Sequence, residues 1–118
     1  MKNVILKNIT TDELITENVW STETFVERFM GLMGRSALPE GYGLWIHPCN
    51  QIHMMNMRLA IDVVYLNGQL EVVAIDCCMK PWTIGKKRPT AESVLEFSAD
   101  YTSGRIAVGD QLSVKLPQ

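Results

Sequence analysis

The segment IDVVYLNGQLEVVAI, residues 61–75, decides the fold class. Two apolar, β-branched runs flank Asn67-Gly68, the strongest short-range signal for a β-hairpin, because a two-residue turn needs positive φ at both central positions. On the N-terminal side, NVILKNI (3–9) and ELITENVW (13–20) read as short strands separated by polar residues from Thr10, and LWI (44–46) as a third. On the C-terminal side, Ser93, Leu95 and Phe97 alternate with Val94 and Glu96 inside TAESVLEFS (90–98), which favours a strand over a helical turn. ADYTSG (99–104) reads as a short helical turn. RIAVGDQLSVKL (105–116) closes the chain as strand, Gly109-Asp110 turn and strand.

One helix stands out, STETFVERFMGLMG (21–34). Ser21 or Thr22 is the expected cap, and Gly34 the expected terminator. Phe25, Phe29 and Met33 fall four apart, with Val26 and Met30 alongside, as one apolar stripe. So few helices cannot cover both faces of a parallel sheet. The expected fold is therefore α+β and mainly antiparallel β, barrel-like or sandwich-like. It should have seven to eight short strands, one clear helix and room for a second short one. No repeat or linker interrupts residues 1–118, which read as a single domain.

Composition excludes several classes. With 47% hydrophobic and 20% charged residues the chain can pack a core and is not disordered. A formal net charge of −2 lacks the basic surplus of a nucleic-acid binder, so no nucleic-acid partner is expected. No apolar run approaches the roughly 18 residues that suggest a membrane span. The run Val4–Leu6 is too short for a secretory signal. Three cysteines are an odd count, and Cys77 and Cys78, as strand-end neighbours, should point to opposite faces rather than pair. A reduced, cytoplasmic chain is the expectation, with export of a processed form left open.

The chemistry-bearing residues crowd into PCNQIHMMNM, residues 48–57, next to His47 and Arg58. As a strand, 53–57 would present His53, Met55 and Met57 on one face. With Cys49 or His47 reaching in, that face would offer soft ligands to copper or zinc. Continued unbroken, the same face would carry Leu59, Ile61, Val63 and Tyr65, which describes a core strand with methionine as filler. The spacing His-Pro-Cys-x-x-x-His is no standard zinc pattern. Cys49 as a nucleophile lacks a nameable third residue to orient a base.

Several separated pieces occur together in order: TETFVERFMGLMGRSAL, HPCNQIHMMNMRLAIDVVYLNG, KPW, ESVLEF and a late GD. The pattern, over about residues 17–116, resembles the family catalogued as domain of unknown function 192. The resemblance implies a small domain dominated by antiparallel β structure, and no general activity. Matching positions are Arg28, Gly31, Leu32, Met33 and Arg35, then His53, Met57, Ile61, Asp62 and Val63, and finally Pro81, Trp82, Glu96, Gly109 and Asp110. Where this chain has Met55 the family more often has an aromatic residue, so a sulfur-specific role there is not a family trait.

Three functional classes remain. The leading one is a small-molecule-binding domain, open to being an enzyme. Its catalytic candidates are His53, which titrates near neutrality, with Asp62 and Glu96 as carboxylates. Arg35, Met57, Arg58 and Trp82 are the ligand-binding candidates, Trp82 as a lid on the long loop KPWTIGKKRP (80–89). Lys80, Lys86, Lys87 and Arg88 of that loop could draw an anionic ligand. The alternative is soft-metal binding through Cys49, His53 and Met57. The third is a non-catalytic interaction module with an exposed apolar patch. No cofactor or protein partner is named by the sequence, and Arg58, Asp62 and Glu96 also suit a structural ion-pair network.

Overall fold

A computed structural model describes residues 1–54 and 56–117. Seven strands and one short helix follow in the order β1 (Lys2–Asn8), β2 (Glu13–Ser21), α1 (Phe25–Met30), β3 (Tyr42–Ile46), β4 (Ile61–Leu66), β5 (Val72–Met79), β6 (Ser93–Ser98) and β7 (Leu112–Lys115). All seven belong to one sheet in the order β5-β4-β6-β3-β2-β1-β7. Every pairing is antiparallel except β2 with β3. The sheet curls into a half-barrel whose edge strands meet at one end, where Glu71 bridges Gln111 and Val72 N–H donates to the Asp110 carbonyl. The expected α+β, mainly antiparallel architecture is the one present.

Strand parity divides the core. Val64 and Leu66 of β4 and Leu95 and Phe97 of β6 join Val4, Leu6, Val19 and Leu112 on one face of the sheet. Ile61, Val63, Tyr65 and Val94 join Leu44 and Ile46 on the other, beneath Leu32, Leu38, Ile52, Met54 and Met57. Both faces of β4 and β6 are covered, so IDVVYL is apolar throughout apart from Asp62. A buried strand has no solvent face to keep polar.

Several elements differ from the sequence reading. The helix is six residues long, not fourteen. Ser21 stays in β2, and Thr22 remains extended, its N–H donating to the Trp45 carbonyl at 3.0 Å. The cap is Thr24, in a reciprocal capping box with Glu27. The apolar stripe is not buried: Phe25 is 71% and Phe29 57% exposed. Helical periodicity identifies which residues share a face, but a cover for that face must come from elsewhere in the chain.

The hairpin joins β4 to β5 by a longer turn than the two-residue form. Leu70 N–H donates to the Asn67 carbonyl, Leu70 carries φ +63°, and Asn67 Oδ1 accepts from the N–H groups of Gln69 and Glu71. A Cβ on Gly68 would meet only the carboxylate end of Glu92, an exposed side chain that can swing aside. Residues 53–57 are not a strand. Ile52 to Met54 form a short ladder with Thr83 and Gly85 centred on a His53–Ile84 bridge, and Asn56 at φ +60° turns the chain. The supposed face of His53, Met55, Met57 and Leu59 running into Ile61 is therefore broken, and Met55 lies outside the described residues. Residues 99–104 are turns rather than a helix, and 105–108 carry no strand.

Candidate functional site

Glu96, with Asp62 one of two buried carboxylates among the described residues, lies on the core face that Leu32 and Met57 cover. It follows Val94 on β6, opposite Val63 of β4 and Leu44 of β3, and is 3% exposed. Full burial pushes its carboxyl up to about 8, so it is mostly protonated at neutral pH. Among the described residues nothing hydrogen-bonds its Oε1. Buried polar atoms are nearly always paired, so this one makes its surroundings a candidate site.

Oε1 faces a cavity of about 50 Å³ between the end of α1 and β6. Phe29, Met30, Leu32, Ile46, Ile52 and Met57 supply its apolar wall, and Arg28, Cys49, Gln51 and His53 line it as well. Gly31 closes the helix with φ +49° and ψ −125°, a conformation for which glycine is suited. A Cβ there would stand 3.6 Å from Glu96 Oε1. His53, held by its bridge to Ile84, packs its ring 6.0 Å from that of Phe29. Its Nδ1 is another buried polar atom without a hydrogen-bond partner among the described residues.

Cys49 is not an activated nucleophile. Burial pushes its thiol up, with the proximity of Glu96 adding to the effect, and its S–H donates to the Gln51 carbonyl at 3.2 Å. Its neighbour His47 pairs with Ser21 Oγ at 2.8 Å, and burial, then Arg28, lowers its pKa.

The structure thus brings together His53, Met57, Glu96 and Cys49. The other predicted residues do not line this cavity. Asp62 projects from the opposite face of the sheet, in the parity of Val64 and Phe97. Burial alone would raise its pKa, but four hydrogen bonds outweigh that and hold the carboxyl below its ordinary range. They come from the Thr102 hydroxyl and the N–H groups of Asp100, Cys78 and Thr102. A carboxylate with both oxygens doubly occupied pins loops together and has no lone pair left for a proton transfer.

Trp82 is 60% exposed at φ +65°, and only its backbone approaches the site, donating to the Met54 carbonyl. Arg35 stacks 5.1 Å over the Trp20 ring, and Arg58 is exposed. None of the ion pairs among the described residues involves Arg58, Asp62 or Glu96. Within the basic loop, Arg88 is committed to Asp76 at 2.8 Å and to the face of Tyr65, whereas Lys80, Lys86 and Lys87 are exposed. Arg28, Phe29 and Gly31 enter the site without having been singled out for it. Their family matches or helical position were the available signals.

Asp62, Cys77 and Cys78 form a separate group, with ligand atoms all within 4.8 Å of one another. No helix among the described residues is long and apolar enough to cross a membrane.

The model of the family DUF192, described as Uncharacterized ACR, COG1430, matches residues 7–114. UPF0127 protein PF1050 of Pyrococcus furiosus is 31% identical over 111 residues, covering 89% of this chain and 93% of its own. A crystal structure of a protein of unknown function from Novosphingobium aromaticivorans superposes with a TM-score of 0.77 at 19% identity, covering 94% of this chain and 83% of that one. A second, from Sinorhizobium meliloti and provisionally described as a transcription regulator, gives 0.79 at 18% identity, covering 97% and 96%. At those identities the two structures speak for the fold alone.

Proposed function

Since the chain belongs to the DUF192 family, which carries no activity in its description, we propose from the site itself that it is a small-molecule-binding domain. Its pocket is the cavity between α1 and β6. The observation that carries the reading is the buried Glu96 carboxyl, whose Oε1 has no hydrogen-bond partner among the described residues, on the same cavity as the unpartnered Nδ1 of His53. Two unpaired buried polar atoms on residues that line one mostly apolar space suit a ligand that supplies the missing hydrogen bonds.

The chemistry of the wall selects the ligand class. Protonated Glu96 donates a hydrogen bond without adding negative charge, and Arg28 is among the residues that line the same cavity. A small anion with a short apolar body, such as a short-chain carboxylate, fits both. A carboxylic acid that keeps its proton at neutral pH is also what a general acid requires, so the same groups would serve a reaction on such a ligand. Soft-metal binding through Cys49, His53 and Met57 competes for the same space. It is the weaker reading, because the half-buried Cys49 thiol is held protonated by its desolvation and donates to the Gln51 carbonyl.

A thermal-shift panel of short-chain carboxylates, with copper and zinc salts as comparison, tests this on the wild type, Glu96→Leu, Glu96→Gln and His53→Ala. A carboxylate should stabilise the wild type and Glu96→Gln, which keeps a neutral donor, but not Glu96→Leu. Equal shifts in all four proteins, or none from any carboxylate, would sink the proposal. Stabilisation by a metal salt that is lost in His53→Ala would favour the competing reading.

A further inference from the structure

Beside Asp62, whose side chain lies on the opposite face of the sheet from Glu96, the pairing of β4 with β5 slips by one residue. Ile61 stands opposite Met79 and Val63 opposite Asp76, so Cys77 and Cys78 together face the single residue Asp62. This is a β-bulge, and Cys78 adopts φ +56° within it. Regular alternation would have sent the two side chains to opposite faces. The bulge instead brings the sulfurs to 3.5 Å from one another, both as free thiols and both on exposed residues of the sheet's edge strand.

We propose that Cys77 and Cys78 form a bidentate thiolate site for one soft divalent cation of the zinc and cadmium class, with Asp62 as its fixed counter-charge. Two thiolates at ~2.3 Å from a tetrahedral ion stand ~3.8 Å apart, so the observed sulfur separation needs only a small adjustment to chelate one. Thiolate pairs select soft ions over magnesium or calcium. Asp62 does not ligate, because its oxygens already accept four hydrogen bonds. Its ionised carboxylate lies within 4.8 Å of both sulfurs and favours a cation there. Each thiol releases its proton to solvent on binding, and exposure leaves the remaining coordination positions open to water or an exogenous ligand.

The test is a cadmium titration of the reduced full-length chain, followed by the ultraviolet thiolate-to-cadmium charge-transfer absorption. The wild type and Cys49→Ser should saturate at one equivalent. Cys77→Ser and Cys78→Ser should each bind at least tenfold more weakly, and the double variant should show no absorption. Zinc should displace cadmium, and magnesium should not. Because both thiols are exposed, the serine variants should keep the wild-type circular dichroism. Should one of them unfold, the other carries the comparison.

Absorption that survives in the double variant, that disappears in Cys49→Ser, or that saturates at half an equivalent would overturn the proposal. So would an intact mass two hydrogens low in protein prepared without reductant, provided Cys49→Ser shares it, since the pair would then be a disulfide.

Discussion

Glu96 makes the stability of the fold depend on pH in a direction opposite to most carboxylates. Its carboxyl is pushed from the ordinary 4.5 to about 8 by burial, so the folded chain holds a proton that the unfolded chain gives up. The stabilisation from keeping that proton is fully present below the unfolded value of 4.5. It is lost progressively as pH rises toward 8. Inside that window each pH unit costs about 1.4 kcal/mol, so moving from pH 5.5 to 7.5 should remove roughly 3 kcal/mol from this group.

Glu96→Gln keeps the shape and removes the titration. Urea unfolding of both proteins across that range isolates the effect, because every other titrating group is common to the two. The variant should exceed the wild type by about 1.4 kcal/mol at pH 5.5 and by roughly 4 kcal/mol at pH 7.5, the two converging near pH 4.5. Parallel profiles would refute the reasoning, since Glu96 would then ionise inside the fold at no cost. A variant destabilised equally at all pH values would do the same, showing the carboxyl to be hydrogen-bonded in a way the amide cannot copy.

Two further perturbations probe the scaffold. Gly31→Ala puts an L side chain at φ +49°, with its Cβ 3.6 Å from Glu96 Oε1, and should cost ~1–3 kcal/mol in urea unfolding. An unchanged midpoint would mean that the end of α1 rearranges freely. Asp62→Ala removes the acceptor for three backbone N–H groups and the Thr102 hydroxyl, and should cost ~3–5 kcal/mol. A loss below ~1 kcal/mol would return Asp62 to the list of functional rather than structural carboxylates.

Much of the architecture was legible because it is local. Asn67 and the β-branched runs around it predicted the β4–β5 hairpin, although the turn closes at Leu70 through the side chain of Asn67. Alternation in SVLEF already separated Val94 and Glu96 from Leu95 and Phe97, which are the two faces that pack into different cores. The stripe of Phe25 and Phe29 misled for a physical reason. Apolar spacing is a property of six residues, whereas burial requires a partner surface from distant ones, and here none covers it among the described residues.

Strand identity, the hairpin and the parity of Glu96 follow from neighbouring residues, because backbone sterics and side-chain alternation act over two to four positions. The convergence of Glu96 with His53, Cys49 and Gly31 does not. It depends on β6 pairing between β3 and β4 and on the residue 48–57 segment crossing that face. The encounter of Cys77, Cys78 and Asp62 depends likewise on a one-residue slip between β4 and β5. Such a slip is chosen by the energy of the whole ladder and its covering loops, which no short window of residues contains.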